Sequence, residues 1–101
     1  MRVIVFFDLP TETAKERKIY SRFRKLLIND GFIMLQESVY SKLALNASIV
    51  NSIREKIYRN RPNKGIVQML TITERQYSSI EYVVGEKNNN ILDNTERLTI
   101  L

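Results

Sequence analysis

One carboxylate follows directly after the first apolar run of the chain. Val3–Phe7 contains only β-branched and aromatic residues, and Asp8, Leu9 and Pro10 come next. Such a continuous apolar run predicts a strand, Arg2–Asp8, that is buried on both faces. Because an unpaired buried charge is costly, Asp8 lies either at an exposed strand end or in a polar site that needs it. Strand ends are where open α/β sheets bind ligands, whereas a turn or helix-capping aspartate is the structural alternative.

The residue types that the sequence lacks leave mainly carboxylates for any hydrolysis. The chain contains no cysteine and no histidine, which excludes thiolate chemistry, an imidazole general base, a catalytic serine triad and a histidine-ligated zinc. Hydrolysis would then need carboxylates and a hard cation such as Mg²⁺, with Mn²⁺ as the alternative. Asp8 is the candidate catalytic and metal-binding residue, and a two-fold axis could add the Asp8 of a second copy.

Basic residues are concentrated in the first two-thirds of the chain. Residues 1–64 contain 13 basic and six acidic residues, whereas residues 65–101 contain three and five. This asymmetry favours a polyanionic partner, most simply nucleic acid, over a merely solvated basic surface. Contacts from Lys and Arg to phosphates carry no sequence specificity. The candidate nucleic-acid-binding residues are a helical ladder of Lys15, Lys18, Arg22 and Lys25, Arg17 on another side of the same helix, and the basic turn with Arg59, Arg61 and Lys64.

Local signals predict a first helix that carries the ladder. Thr13 and Glu16 have capping-box spacing, and Gly31 is a natural C-terminal stop. The apolar stripe that faces the core comprises Ile19, Tyr20, Phe23, Leu26 and Leu27.

The rest of the chain alternates between strand and helix patterns. Residues 32–43 predict extended chain with a break near Gln36, and a second helix capped by Asn46 or Ser48 follows. Further strands are predicted at Ile66–Thr73, Ile80–Val84 and Arg97–Leu101, with a turn at Ser78-Ser79.

The order of these elements predicts an α+β fold. We expect a ferredoxin-like βαββαβ sandwich with both helices on one face of an antiparallel sheet, and an extra C-terminal strand. Residues 1–101 form one domain, of which about 85–101 are a loop and a docking strand. Because an unpaired edge strand is a liability, we expect a homodimer, with Leu98, Ile100 and Leu101 contacting the second copy or another partner.

The composition predicts a cytoplasmic protein. No apolar run is long enough for a transmembrane helix. Asp8 interrupts the N-terminal apolar stretch and no small-residue cleavage site follows, so a signal peptide is not expected. The lack of cysteine agrees with a reducing compartment.

Several of these motifs, taken in order, carry a family resemblance. They are Phe6-Phe7-Asp8-Leu9-Pro10, the basic first helix with Arg17, the Gly31-Phe32 turn, and Gln36-Glu37-Ser38-Val39-Tyr40. The chain thereby resembles the second core CRISPR-associated protein family, the small ferredoxin-like partner of the CRISPR integrase. Tyr40-Ser41-Lys42-Leu43 and the long second helix are similar to the type II-A branch.

The resemblance implies a function in spacer acquisition. It implies a homodimer with the two strand-1 aspartates facing each other, which binds duplex prespacer DNA without sequence specificity and bridges two integrase dimers. Asp8 matches the family's metal-binding aspartate, and Arg17, with Arg22 and Arg24 as alternatives, matches its helix-1 arginines. The second hypothesis is a magnesium-dependent endonuclease that uses paired Asp8 on RNA or DNA. A third is a toxin-like ribonuclease of the same fold, unrelated to CRISPR.

Overall fold

The computed structural model describes residues 1–86 as one antiparallel sheet with its two long helices on one face. The elements in chain order are β1 (Arg2–Asp8), α1 (Ala14–Asn29), β2 (Ile33–Gln36), β3 (Val39–Leu43), α2 (Ala47–Arg59), β4 (Ile66–Ile72) and α3 (Glu74–Ser78). The strand order across the sheet is β2-β3-β1-β4, and every neighbouring pair is antiparallel. The first six elements therefore form the βαββαβ arrangement that the sequence predicts.

The core lies between β1 and the two long helices. Val3, Val5 and Phe7 alternate along β1 and are buried with Phe23 and Leu27 of α1 and with three α2 residues, Val50, Ile53 and Ile57. The Phe7 ring contacts the rings of Phe23, Tyr20 and Tyr40 at centroid distances of 5.2, 5.5 and 5.7 Å. Ile4 points to the opposite face and is also buried, so β1 is covered on both faces, as its apolar run predicts.

Side-chain caps set the ends of the long helices. The Thr13 hydroxyl accepts a hydrogen bond from the Glu16 N–H, and the Glu16 carboxylate accepts one from the Thr13 N–H. Gly31, at φ 96°, turns the chain after α1. Asn46 caps α2 by accepting from the Ile49 N–H at 3.0 Å, which decides between the two predicted caps.

The break predicted near Gln36 separates β2 from β3. Glu37 and Ser38 form a two-residue turn, with Ser38 at φ 65°, and the pairing register shifts between Met34 and Gln36. The turn places both residues at the end of the sheet where β1 finishes, because the Ser38 carbonyl accepts the Phe7 N–H at 3.0 Å.

The strand predicted at Ile80–Val84 is wrong. A second capping box, between Thr73 and Gln76, begins α3 directly after β4 and turns the chain across the sheet. The Arg2 guanidinium lies 4.2 Å from the centre of the Tyr77 ring and pairs with Glu74, which holds α3 against β1. Residues 80–84 consequently pair with no strand of residues 1–86.

The face of the sheet away from the long helices is apolar. Ile4 and Phe6 of β1 and Leu70 of β4 line a cavity of about 580 Å³ between this face and residues 80–84. The predicted strand Arg97–Leu101, with Leu98, Ile100 and Leu101, lies outside the described residues. Within residues 1–86, no helix combines the length and apolar character needed to cross a membrane.

Candidate functional site

Asp8 is exposed at the end of β1, opposite Ile66 of β4. The alternation along β1 places it on the same face as Ile4 and Phe6, away from the helices. The Asp8 carboxylate makes no hydrogen bond or ion pair within residues 1–86, and Thr13 caps α1. The helix-capping alternative for Asp8 is therefore wrong, and its oxygens are available to a ligand.

The structure brings a second carboxylate, Glu37, to the same depression as Asp8. This depression has a volume of about 330 Å³ and is lined by the end of β1, the β2–β3 turn and the start of β4. Tyr20 of α1 holds the turn, because its hydroxyl lies 3.0 Å from the Ser38 hydroxyl. Sequence reasoning missed Glu37; the signal was the break after Gln36, since a hairpin there returns its turn to the end of β1.

Asp8 and Glu37 could supply some, but not all, of the ligands that a metal ion needs. Within residues 1–86, no group of three or more Asp, Glu, His or Cys side chains could hold an ion. Mg²⁺ commonly uses one or two carboxylates, with substrate phosphate oxygens and waters as its other ligands. The two side chains fit that pattern, in which nucleic acid or a second copy of the chain supplies further oxygens.

Gly65 brings the basic turn against the end of β1. Its φ of 87° belongs to the left-handed region, and a Cβ at this position would lie 2.5 Å from the Asp8 carbonyl oxygen and 2.9 Å from Leu9 Cδ2. Only glycine tolerates both conditions. Lys64 and Leu9 line the same small depression, so the predicted basic turn lies at the end of the molecule where β1 finishes.

The predicted ladder on α1 is exposed and is not neutralised by the described part of the chain. Lys15, Lys18, Arg22 and Lys25 are all exposed, and the ion pairs of the described residues use only Arg2, Lys42 and Lys56 as cations. At 1.5 Å of rise per residue, the ladder extends over about 15 Å of the helix. Four cations arranged in this way form a surface that favours a polyanion.

The other predicted cations differ in how they are held. Arg17 Nη1 donates to the carbonyls of Thr11 and Glu12 at 3.1 and 2.9 Å, so it also stabilises the loop before α1. Arg61 Nη1 donates to the Tyr58 carbonyl at 2.8 Å. Arg59 and Lys64 are exposed and have no carboxylate partner within 4.0 Å in residues 1–86.

One carboxyl at the start of α1 has a perturbed pKa. The Thr13 N–H donates to the Glu16 carboxylate and lowers its pKa below the usual 4.5, with smaller contributions from the Glu12 N–H and the Lys64 charge. Glu16 is therefore ionised but already engaged by the backbone.

Comparisons with known proteins identify the family and agree with this fold. Residues 1–80 match the model of the family described as CRISPR associated protein Cas2. A Treponema denticola protein named CRISPR-associated endoribonuclease Cas2 is 52% identical over the full length of both chains. A protein of the same name from Streptococcus mutans serotype c is 46% identical, covering all of this chain and 93% of that one.

A solved structure supports the fold independently. The crystal structure of Streptococcus pyogenes Cas2 at pH 6.5 superposes with a TM-score of 0.65 and 21% identity, covering 84% of this chain and all of that chain. The family resemblance read from the motifs around Asp8 and Ser38 is thereby confirmed, and a toxin unrelated to CRISPR is not supported. The ferredoxin-like sheet, the exposed Asp8 and the matches along the whole chain show that this protein belongs to the CRISPR-associated Cas2 family.

Proposed function

We propose that this protein acts in CRISPR spacer acquisition as a homodimer that binds duplex prespacer DNA and bridges two integrase dimers. The observation that carries the proposal is the cation ladder on α1, which is exposed and has no carboxylate partner in residues 1–86. Duplex DNA carries one negative charge per about 1.7 Å of axis, so a ladder about 15 Å long meets several phosphates. Such contacts set affinity and orientation without reading bases.

The apolar sheet face supports the homodimer. Ile66 and Leu70 on β4 are 58% and 47% exposed, and Leu43 on β3 is 46% exposed. A domain of this size buries a limited core, so covering this face with a second copy would stabilise it. Because Asp8 lies at the end of the same face, a two-fold axis there would bring two Asp8 residues towards each other and duplicate the ladder.

Charge reversal on the ladder tests DNA binding. Lys18→Glu with Arg22→Glu should weaken duplex binding and flatten its salt dependence, by about 0.9 in the slope of log K against log salt for each phosphate that is no longer neutralised. Fluorescence anisotropy of a labelled duplex over a series of salt concentrations measures both effects. Two single variants with the same change in charge, Arg22→Glu on the ladder and Arg75→Glu on α3, provide the matched control, because both arginines are exposed. Equal slopes in all variants would remove α1 from the DNA-binding surface.

A reconstituted integration reaction tests the role in spacer acquisition. Purified integrase and duplex DNA are combined with the wild type or with Asp8→Asn, after light scattering has established that both are dimers. Integration that survives in Asp8→Asn supports a bridging protein whose Asp8 takes no part in joining. Integration that needs no Cas2 protein at all would contradict the bridging role.

A metal-dependent endonuclease is the second candidate function. It is favoured by the shared depression of Asp8 and Glu37 and by the name endoribonuclease of the relatives. Mg²⁺, or Mn²⁺, held by the two Asp8 residues of a dimer would stabilise charge on the phosphate and lower the pKa of a bound water. The side chains of this chain would position the ion and the scissile phosphate at the end of the sheet.

Cleavage assays on RNA and DNA distinguish the second candidate. Activity should need Mg²⁺ or Mn²⁺, disappear in Asp8→Asn and fall in Glu37→Gln, while Glu12→Gln, an exposed acid outside the depression, leaves it unchanged. Cleavage that persists in Asp8→Asn would identify a contaminating nuclease instead.

A further inference from the structure

A cleft separates the outer face of α1 from the turn that follows α2. Its volume is about 320 Å³, near the lower end of the range for small-ligand pockets. Arg22 and Leu26 of α1 line one wall, and Arg61, Pro62 and Asn63 line the other. The cleft lies on the helical side of the domain, away from the sheet face that carries Asp8.

Two arginines line this cleft, and no carboxylate of the described residues compensates their charges. No Asp or Glu is among its lining residues, and neither Arg22 nor Arg61 forms an ion pair within residues 1–86. Arg61 is held in place through the Tyr58 carbonyl by one of its two terminal nitrogens. An anion bound in the cleft would compensate these two charges. Arginine forks bind phosphate with two parallel hydrogen bonds.

The remaining lining is suited to a flat, partly apolar group. Leu26 of α1, Pro62 of the turn after α2 and the buried Phe23 supply apolar surface to the lining. Asn63 adds an amide that makes no hydrogen bond within residues 1–86, and an amide both donates and accepts. Arginines that can bind phosphate, apolar lining residues and a free amide match a nucleotide, in which a planar base is attached to a charged phosphate.

We infer that this cleft binds one unpaired nucleotide. Its phosphate lies between Arg22 and Arg61, and its base contacts Leu26, Pro62 and the Asn63 amide. Arg61 and Pro62 also line an adjoining groove of about 520 Å³ that contains Arg54 and Tyr58, so a strand could continue beyond the cleft. The nucleotide is either a free mononucleotide or the overhanging end of a bound duplex. Only the second source depends on the proposed function.

A cleft-filling variant of the full chain tests this inference. Asn63→Trp occupies the space and leaves every cation in place, and Asn29→Trp, an exposed position at the end of α1, is the matched control. Arg61→Gln is the second variant and removes a phosphate ligand from the surface. Binding of adenosine 5′-monophosphate, adenosine and inorganic phosphate is followed by amide chemical shifts in ¹H–¹⁵N NMR spectra, and blunt and overhanging duplexes are compared by anisotropy.

The expected result is that the mononucleotide shifts amides near Arg22 and Arg61 and binds about tenfold more weakly to Asn63→Trp and to Arg61→Gln. Adenosine and phosphate alone bind more weakly than the nucleotide. If only the overhanging duplex shows an advantage over the blunt one, and Asn63→Trp abolishes that advantage, the nucleotide comes from a strand.

Two results would overturn the inference. One is the absence of both mononucleotide binding and a preference for overhangs. The other is undiminished binding in both Asn63→Trp and Arg61→Gln, with the spectra of both variants showing a folded chain. Neither result affects the proposed duplex binding, because the salt dependence of blunt-duplex binding is measured separately on the same proteins.

Discussion

At the level of single residues, the backbone conformation at the end of β1 depends on a glycine, Gly65, that packs against Asp8. Gly65 has a φ of 87°, and a Cβ at this position would lie 2.5 Å from the Asp8 carbonyl oxygen. A side chain here must either displace the backbone of Asp8 and Leu9 or move the start of β4. The position of the Asp8 carboxylate is therefore coupled to a residue that carries no functional group.

Gly65→Ala should destabilise the fold by about 2 kcal/mol or more, because strain at positive φ adds to a clash with backbone atoms. Gly85→Ala is the matched control, since Gly85 has a similar φ of 93° but open space around its Cβ position. Urea unfolding of both variants measures the difference. Equal destabilisation in the two variants would show that the contact with Asp8 contributes nothing.

At the scale of elements, α1 combines a reciprocal cap with a charged outer face. Thr13 and Glu16 exchange backbone hydrogen bonds at its first turn, and Phe23 and Leu27 fix its inner face in the core. Because these local contacts determine where the helix begins and how it is rotated, they also determine that the ladder faces outward.

Thr13→Ala should lower the free energy of unfolding by about 1 kcal/mol, since the Glu16 N–H loses its side-chain acceptor. Thermal and urea unfolding measure the decrease. Thr11→Ala, in the loop before α1 but outside the cap, is the control. A change as large in Thr11→Ala would contradict the capping role of Thr13.

The cap should also make stability depend on pH. Since folding lowers the pKa of Glu16 below 4.5, its ionised form stabilises the folded state above pH 4.5. That contribution disappears as the pH falls from 4.5 through the lower pKa of the folded state. Glu16→Gln retains a capping partner without a charge, so its stability should change less over this window. Parallel pH curves for wild type and Glu16→Gln would contradict this assignment.

In the molecule as a whole, the two faces of the sheet differ in what covers them. One face is covered by α1 and α2, while the other is apolar and carries Asp8 at its end. The bound duplex is proposed to follow the helical side, and the second copy is proposed to cover the open face. Under this proposal, dimerisation and DNA binding would use separate surfaces.

Leu70→Lys should convert the proposed dimer to a monomer, because it places a charge in the middle of the apolar face. Light scattering after size-exclusion chromatography measures the mass. Leu45→Lys is the control, since Leu45 is 79% exposed and lies before α2, outside that face. A dimer that persists in Leu70→Lys would place the interface elsewhere.

Truncation after Asn94 tests the predicted contribution of Leu98, Ile100 and Leu101 to the same assembly. Removal of an apolar docking strand should weaken the dimer or its complex with the integrase. The elution profile, alone and with integrase, is the measurement. An unchanged profile in both cases would exclude these residues from the interfaces.

Features that depend on neighbouring residues could be predicted from the sequence alone. The apolar run of β1, the Thr13 cap, the Gly31 stop and the break at Gln36 all follow from rules that act over a few positions. The exposed ladder follows in the same way, because helical periodicity separates it from the stripe of Phe23 and Leu27. These signals were sufficient for the βαββαβ order and for the family.

Which distant residues come together depends on the tertiary structure. Glu37 lines the same depression as Asp8 because β3 pairs with β1, and Arg61 lines the same cleft as Arg22 because both long helices pack on one side of the sheet. The conformation of Ile80–Val84 also depends on the tertiary structure. Its composition favours a strand, but a strand needs a neighbour with free backbone groups in register, and α3 directs the segment across the sheet instead. Pairing and packing between distant segments are cooperative, so no local pattern specifies them.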